Sequence, residues 1–352
     1  MNQQLRRSTP VRPSATADAE HRNALDLLIR GFQVSRMLRV VADLRVADKI
    51  PAEGKLPITD LAQACSVLPD PLLRIVRALA AFGVFTVTAD GIVAHTPTSR
   101  LLRTDVANSM HHSACFWTGP GSWQAWNMLD AALIGETPHE SAWQMNRFAY
   151  LQQHPDEARV FDAMMANFPD NRHSAIAAAY DFSPAKLIAD IGGGNGAALR
   201  QILEKTANAR GLLFDRDDVI AGLAKEDLMN NRITAEAGSF LEHVPGRADI
   251  YLLIRVLHDW DDEHASQILS RCREVMNTHV TLLIGEELLQ PDPSRGHVTA
   301  YLIDTHMMTM FGHGRARTEG EFRGLLDRSG FLLRRVVPTT SSVSLLEAVP
   351  VS

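Results

Sequence analysis

LIADIGGGNG, residues 187–196, joins a short apolar run to a cluster of glycines, and the helical segment 197–203 follows directly. An apolar run of this length predicts a buried β-strand, and the glycines predict a sharp turn whose backbone can come close to a ligand. A strand, a glycine turn and a helix in this order predict a cofactor site at the carboxyl edge of an α/β sheet.

Further apolar runs alternate with helical segments after this turn. We predict strands at 211–215, 250–254 and 280–285, which implies a parallel sheet with helices on both faces. The last two runs, 331–337 and 343–349, are separated by so few residues that only an antiparallel pair is permitted. The sequence therefore predicts an α/β fold whose sheet ends in an antiparallel hairpin.

The N-terminal part has helical periodicity instead. Apolar spacing predicts one or two amphipathic helices over 22–48, a helix at 60–65, and another after Asp70 as N-cap and Pro71 as first helical residue. Short β-rich runs at 84–88 and 92–96, with Ala89-Asp90-Gly91 between them, predict a hairpin. Helices followed by a hairpin are typical of a winged-helix domain.

A winged helix permits two functions, DNA recognition or dimerisation. The candidate recognition helix, 71–82, offers only Arg74 and Arg77, without a basic tail beside it. The formal net charge of the whole chain is -6, so there is no overall basic field to attract phosphate backbones or anionic lipid. We therefore favour a dimerisation or lid module and expect no nucleic-acid or membrane partner.

The composition and length of the chain indicate its number of domains and the state of its cysteines. The chain has 352 residues, of which 45% are hydrophobic, enough for a core divided between two units. Three widely spaced cysteines, Cys65, Cys115 and Cys272, suit reduced thiols in the cytoplasm. We expect four segments: a disordered tail (1–20), a winged-helix domain (21–105), a helical linker and substrate-pocket region (106–182) and a cofactor-binding catalytic domain (183–352).

The glycine turn suits two cofactors. Gly192, Gly194 and Ala197 satisfy the loose dinucleotide spacing, so an NAD-dependent oxidoreductase remains an alternative. Asp190 favours S-adenosylmethionine, because a carboxylate there would repel a pyrophosphate but attract an ammonium and a sulfonium. Asp215, at the end of the next strand, is suited to accept hydrogen bonds from the ribose hydroxyls of either cofactor.

A candidate general base follows the strand at 250–254. His258 lies at the carboxyl edge of the sheet, and imidazole, with a pKa near 6.5, is suited to take the proton of a phenol. The next strand brings Glu286 and its neighbour Glu287 to the same edge. Since strand alternation lets only one of them face the site, we choose Glu286 as the residue that orients the imidazole. The acidic residues at 261–263 have a sufficient structural role at a helix N-terminus.

Five motifs together resemble the small-molecule O-methyltransferases of the plant caffeate type and their bacterial relatives in antibiotic and pigment biosynthesis. They are DIGGGNG (190–196), LHDWDD (257–262), IGE (284–286), RTEGEF (317–322) and SGF (329–331). The resemblance covers nearly the whole chain from about His21. DIYLL (249–253) and CREVM (272–276) are similar to the bacterial phenazine methyltransferases in particular.

This resemblance implies a Rossmann-like methyltransferase fold with an N-terminal winged-helix dimerisation domain, and a homodimer whose partner chain helps to close the pocket. It implies that His258 is the catalytic base and Glu286 its orienter. Residues implied to bind S-adenosylmethionine, the methyl donor, are Asp190, Gly192, Gly194, Asp215, Gly238, Ser239, Phe240 and Arg255. Residues implied to contact the acceptor, the aromatic molecule that receives the methyl group, are Met164, Asn167, Phe168, Met307 and Phe311.

The implied activity is transfer of a methyl group from S-adenosylmethionine to an aromatic hydroxyl, with S-adenosylhomocysteine as product and without a metal. A hydroxylated phenazine is the leading expectation for the acceptor, and a polyketide or another phenol is the alternative. Some relatives keep the fold but carry out other chemistry. Two departures bear on this expectation: Ser239 replaces an acid near the adenine, and Ala316 replaces a glutamate, which leaves His258 flanked by one acid rather than two.

Overall fold

The computed structural model describes residues 15–166 and 171–351, in two compact units that meet in sequence at Thr118 and Gly119. The first helix begins at Ala15, so the predicted tail 1–20 overlaps it by six residues. The segment 15–20 is rich in alanine, the residue with the highest helix propensity, which explains the earlier start. Residues 1–14 of the predicted tail lie outside the described residues.

The N-terminal unit combines helices with a small antiparallel sheet of strand order β1-β3-β2. Its helices are α1 (Ala15–Ile29), α2 (Gly31–Asp43), α3 (Val46–Lys49), α4 (Ile58–Cys65), α5 (Pro69–Ala81), α6 (Pro97–Arg100) and α7 (His111–Trp117). Its strands are β1 (Lys55–Pro57), β2 (Phe85–Val87) and β3 (Ile92–His95). The predicted hairpin is confirmed as β2 and β3.

Two local predictions in this unit differ from the structure. Helix α5 begins at Pro69 with Leu68 as its N-cap, so the predicted cap at Asp70 is wrong. Pro69 already has the fixed φ that suits a first helical turn, which allows the helix to start before Asp70. Strand β1 was not predicted, because three residues are too few to show an alternating pattern.

The C-terminal unit contains the larger sheet and most of the helices. The helices are α8 (Pro120–Asn127), α9 (Pro138–Trp143), α10 (Arg147–Gln153), α11 (Pro155–Ala166), α12 (Arg172–Ala179), α13 (Ala197–Lys205), α14 (Asp217–Ala221), α15 (Asp262–Val275), α16 (Val298–Phe311) and α17 (Glu319–Arg328). The strands are β4 (Leu187–Ile191), β5 (Arg210–Asp215), β6 (Ile233–Ala237), β7 (Ile250–Ile254), β8 (Thr281–Glu286), β9 (Leu288–Leu289), β10 (Arg317–Thr318), β11 (Phe331–Pro338) and β12 (Ser344–Pro350).

The large sheet has seven strands in the order β11-β12-β8-β7-β4-β5-β6. Strands β4 to β8 are parallel, and β12 is antiparallel to both β8 and β11. This arrangement confirms the predicted Rossmann-like methyltransferase fold with a C-terminal antiparallel hairpin. Edge strand β6 was not predicted, because only Ile233 in it is buried and its sequence lacks a continuous apolar run.

Both faces of this sheet are covered by helices. One core packs α15 and α17 against the sheet, through residues such as Leu269 and Phe322. The other core packs α12 and α13, through residues such as Ile176 and Leu199. Burial on both faces explains why the central strands have continuous apolar sequences. No described helix is both long and apolar enough to cross a membrane.

The strand register determines which residues meet at the carboxyl edge. Ile191 of β4 pairs with Phe214 of β5, and Ile254 of β7 pairs with Gly285 of β8. The residues that follow these pairs therefore leave the sheet side by side. The glycine turn, Asp215, Arg255 and Glu286 lie at this edge.

Candidate active site

The glycine turn after β4 depends on two glycines in particular. Gly192 has a φ of +71°, and a Cβ on it would lie 2.9 Å from the Val256 side chain. A Cβ on Gly193 would lie 2.5 Å from both Oδ2 of Asp190 and Cδ1 of Leu213. Larger residues are therefore excluded from this turn, and the backbone stays close to the strand ends.

Asp190 lies beneath this turn and is only 1% exposed. Neither of its carboxylate oxygens has a hydrogen-bond partner in the described structure. Burial, together with the nearby charge of Asp215, raises the pKa of Asp190 to about 7. A buried carboxyl without a partner is costly, and a cation would compensate it, so Asp190 fits the ammonium group of S-adenosylmethionine.

Asp215 is held at the end of β5 by backbone amides. Its Oδ2 accepts from the Gly194 N–H at 2.8 Å, and its Oδ1 accepts from the Arg216 N–H at 2.8 Å. The Gly238 N–H donates to the Asp215 carbonyl oxygen at 2.9 Å. The structure thus brings Gly194, Asp215 and Gly238, three of the predicted donor residues, into contact.

Phe240 lies next to the same turn. Its Cε1 is 3.3 Å from where a Cβ of Gly192 would be, and its ring meets Trp260 edge to face at 5.8 Å. Ser239 precedes it in the loop, and its carbonyl oxygen accepts from the His243 N–H at 3.0 Å. Phe240 therefore connects the glycine turn to the segment that carries His258.

His258 lies in a short 3-10 turn, Leu257–Asp259, shortly after β7. Its ring is buried, and Nδ1 is 2.9 Å from Oε2 of Glu286. Its backbone N–H donates to Oε1 of the same carboxylate at 3.3 Å. Because Glu286 can only accept when ionised, we assign the proton of the neutral imidazole to Nδ1, which leaves the lone pair on Nε2.

Glu286 also contacts Arg255, whose Nη1 is 3.3 Å from Oε2 of the carboxylate. Burial by itself would raise the pKa of this carboxyl, but the hydrogen bonds and charge of His258 and the charge of Arg255 hold it below its ordinary value. Glu286 is therefore ionised at neutral pH. Arg255, which the resemblance places near the donor, points its guanidinium at Glu286 and has a positive φ of 58°.

Asp259 is a site residue that the sequence reasoning missed. Its Oδ1 lies 3.2 Å from Nε2 of His258. The expectation that Ala316 leaves His258 flanked by a single acid is therefore wrong. Asp259 supplies the second carboxyl from the position next to His258, while the backbone N–H of Ala316 donates to Asp304 at 2.8 Å.

The segment carrying His258 and Asp259 is fixed by Arg317, which is fully buried. Its guanidinium donates to the Leu257 carbonyl at 2.7 Å, to the Trp260 carbonyl at 2.8 Å and to Oδ1 of Asp262 at 2.9 Å. Asp261 caps α15 by accepting from the His264 N–H at 2.8 Å. The structural role predicted for the acidic residues at this helix end is thus confirmed for Asp261 and Asp262.

Three of the five residues predicted to contact the acceptor lie in the described part of the chain. Met164 in α11 and Met307 in α16 are buried, and Phe311 packs against Phe148 with ring centroids 5.6 Å apart. A Cβ on Gly314 would lie 3.0 Å from the His258 carbonyl oxygen and 3.3 Å from Cβ of Met307. Met307 is therefore close to the His258 segment. Asn167 and Phe168 lie outside the described residues.

Comparison with known proteins gives a consistent result. A sequence model of the O-methyltransferase domain matches residues 126–332, and one of the O-methyltransferase dimerisation domain matches residues 27–105. Phenazine O-methyltransferase PhzM of Lysobacter antibioticus is 38% identical over 328 residues, which cover 92% of this chain and 95% of the relative. A 3-amino-4-hydroxybenzoate 4-O-methyltransferase of Streptomyces cremeus is 33% identical, with 95% of this chain and 91% of the relative covered.

A solved structure gives the same result at the level of the fold. The crystal structure of CalO1, a methyltransferase in calicheamicin biosynthesis in its SAH-bound form, has a TM-score of 0.81 and 28% sequence identity. The match covers 96% of this chain and 100% of that one. The similarity therefore includes both units and is not confined to the glycine turn. In the described residues, no group of His, Cys, Asp and Glu is arranged to hold a metal ion.

Proposed function

The chain belongs to the O-methyltransferase family, and from this membership we propose that it methylates a hydroxyl of an aromatic secondary metabolite, with His258 as the general base. It is an S-adenosylmethionine-dependent methyltransferase of the antibiotic-biosynthesis type, which sets the NAD-dependent alternative aside. The observation that supports His258 most strongly is its 2.9 Å contact with the buried Glu286, at the same sheet edge as the glycine turn.

The donor supplies an electrophilic methyl group on a sulfonium. When S-adenosylmethionine is bound, Asp190 would neutralise its ammonium group, Asp215 would accept hydrogen bonds from its ribose hydroxyls, and the glycine turn would leave room for its methionine part. The remaining donor contacts that we propose are Gly192, Gly194, Gly238, Ser239, Phe240 and Arg255. Holding the reacting atoms in line supplies most of the acceleration in this mechanism.

His258 takes the proton of the acceptor hydroxyl at Nε2. A phenol with a pKa near 10 is mostly protonated at neutral pH, so its oxygen becomes a good nucleophile only as the proton leaves. Glu286 fixes the tautomer at Nδ1 and stabilises the imidazolium that forms. Acceptor contacts proposed on the resemblance are Met164, Asn167, Phe168, Met307 and Phe311.

A hydroxyphenazine is the leading acceptor in this proposal. The relatives include a phenazine O-methyltransferase and a 3-amino-4-hydroxybenzoate 4-O-methyltransferase, and both names specify methylation of an oxygen on an aromatic compound. A flat ring would suit the apolar side chains of Met307 and Phe311. The second candidate is a polyketide or single-ring phenol.

We also propose that the chain works as a homodimer through its N-terminal unit. Residues 27–105 match the dimerisation domain, and the C-terminal half of α1, which overlaps the start of this range, exposes large apolar side chains together with the start of α2. They are Leu25, Leu27, Leu28, Ile29 and Phe32. Such a row of exposed apolar residues is typical of an interface.

The test of this function is calorimetric titration of the purified chain with S-adenosylhomocysteine and, in parallel, with NADH. We expect micromolar binding of the first and none of the second, followed by methyl transfer to the oxygen of 1-hydroxyphenazine in an assay with labelled donor. Mass and NMR analysis of the product distinguishes O-methylation from N-methylation. Failure to bind S-adenosylhomocysteine would contradict the proposed donor site, and transfer only to ring nitrogen would contradict the hydroxyl acceptor.

A further inference from the structure

A second carboxyl group lies against the nitrogen of His258 that would receive the proton of the acceptor. We propose that Asp259 is a positioning residue for the base: its carboxyl shares one proton with Nε2 of His258 until the acceptor hydroxyl displaces it. This inference rests on the proposed role of His258 as general base.

The proposal rests on two contacts of the imidazole ring of His258. Glu286 lies 2.9 Å from Nδ1, and Asp259 lies 3.2 Å from Nε2. A neutral imidazole has one N–H and one lone pair, and the N–H is already directed at Glu286. The lone pair of Nε2 would then face a carboxylate oxygen across 3.2 Å, which is repulsive. A proton between Asp259 and His258 turns this repulsion into a charge-assisted hydrogen bond.

The charged groups that act on Asp259 support this arrangement. The partly buried position of its carboxyl raises the pKa of Asp259, and the charge of Glu286 adds to the increase, while His258, Arg255 and His313 oppose it without cancelling it. Asp259 therefore retains a proton more readily than an ordinary aspartate. As the two groups interact this closely, the proton belongs to the pair rather than to either residue.

The carboxyl of Asp259 can also leave Nε2. Its side chain is 32% exposed, whereas that of Glu286 is 1% exposed. Glu286 is thus a permanent partner of the imidazole, and Asp259 is a replaceable one. An acceptor hydroxyl that takes the place of the carboxyl would meet Nε2 directly.

The proton balance of one turnover follows from this exchange. The shared proton leaves to solvent with the carboxyl of Asp259, so that Nε2 is free. The acceptor O–H then gives its proton to Nε2 while its oxygen bonds to the methyl carbon and the bond from that carbon to the donor sulfur breaks. After product release, Asp259 returns to Nε2 and the pair again holds one extra proton.

The first test is the pH dependence of kcat/KM for Asp259→Asn and the wild type, with a weakly acidic phenol as acceptor. Asparagine has nearly the same shape but no negative charge to hold the proton on the pair. We expect the acidic limb of the profile to move to lower pH by about one unit. A residue with a merely structural role would lower kcat at every pH and leave the limb in place, which would overturn the proposal.

A matched control comes from the same segment. Asp261 is two residues away and caps α15 by contact with His264, not with His258. Asp261→Asn keeps a good N-cap residue, so the fold should be preserved. We expect the acidic limb of this variant to coincide with that of the wild type.

The second test does not depend on activity. ¹³C NMR of the aspartate carboxyl groups in the protein without acceptor should show Asp259, assigned by its loss in Asp259→Asn, titrating above the ordinary value of about 3.9. His258→Gln should move this titration further upward, because His258 lowers the pKa of Asp259. An ordinary titration that does not respond to His258→Gln would overturn the proton sharing. If the signals behave as expected but no phenol is methylated, the proposed function fails instead.

Discussion

At the scale of single residues, Asp190 is the clearest link between the sequence and the donor. Its carboxyl is buried without a hydrogen-bond partner in the described part of the chain, and its pKa is raised to about 7. In the unfolded chain an aspartate titrates near 3.9. The folded protein therefore binds this proton more tightly than the unfolded chain between about pH 4 and pH 7.

This difference predicts how stability depends on pH. The contribution of Asp190 to the free energy of unfolding is fully present below pH 4 and is lost as the pH rises to about 7, by at most about 1.4 kcal/mol per unit. Asp190→Asn should remove this loss, so that without donor the variant has a higher Tm than the wild type at pH 8. Thermal unfolding at pH 5.5 and pH 8 measures it.

The same substitution should weaken donor binding. Asparagine offers no charge to the ammonium group, and we expect the affinity for S-adenosylhomocysteine to fall by more than tenfold. If Asp190→Asn binds S-adenosylhomocysteine with wild-type affinity, Asp190 does not contact the ammonium group of the donor. If its Tm depends on pH as that of the wild type does, the pKa of Asp190 is not raised by burial.

Glu286 gives a second prediction at this scale. Glu286→Gln keeps the shape of the side chain but loses the charge that stabilises the imidazolium and pairs with Arg255. We expect kcat to fall by about a hundredfold or more with little change in affinity for S-adenosylhomocysteine. Glu287→Gln is the matched control, and a larger loss of kcat in that variant would reverse our choice between the two residues.

Sequence reasoning located most of these residues but not Asp259. Strand ends and the glycine turn predicted Asp190, Asp215 and Glu286 at one edge, since parallel strands end together. Alternation along a strand would direct Asp259 away from His258, but Leu257–Asp259 forms a 3-10 turn in which this rule does not hold. The contact between Asp259 and His258 therefore required the structure.

At the scale of elements, Arg317 connects the start of α17 to the His258 segment. Arg317→Lys keeps the charge but cannot reach two carbonyl oxygens and Asp262 at once, because it lacks the planar fork of arginine. We expect the free energy of unfolding to fall by about 2 kcal/mol and kcat to fall more steeply than donor affinity. Denaturant unfolding and steady-state kinetics measure the two effects.

A control for this prediction is the capping box at the start of α17. The Thr318 hydroxyl accepts from the Glu321 N–H, and the Glu321 carboxylate accepts from the Thr318 N–H. Thr318→Ala should cost about 1 kcal/mol of stability without changing kcat. Equal kinetic losses in both variants would contradict a specific role for Arg317.

The elements that sequence reasoning found and missed differ in burial. Strands β4, β5, β7 and β8 are apolar along almost their whole length because helices cover both faces of the sheet. Strand β6 lies at the edge and β1 has three residues, so neither shows a pattern that distinguishes it from a loop.

At the scale of the whole molecule, the proposed function gives the two units separate tasks. The N-terminal unit would join two chains, and the C-terminal unit would bind the donor and the acceptor. Leu28 on α1 is 78% exposed, and Phe32 at the start of α2 is also exposed. We expect the wild type to elute as a dimer in size-exclusion chromatography with light scattering, and Leu28→Glu with Phe32→Glu to elute as a monomer.

Two outcomes would contradict this arrangement. A monomeric wild type would remove the proposed dimer, and a double variant that remains dimeric would place the interface elsewhere. Affinity for S-adenosylhomocysteine serves as the control, because α1 and α2 carry none of the proposed donor contacts and the charged variant should still bind the donor product.

The most direct test of the central claim is a single-turnover measurement of methyl transfer with wild type and His258→Ala, using labelled donor and a weakly acidic phenol. If His258 is the base, we expect His258→Ala to keep its affinity for S-adenosylhomocysteine and to transfer the methyl group about 10²-fold to 10⁴-fold more slowly. Transfer by His258→Ala at the wild-type rate would contradict the assignment of His258 as the base.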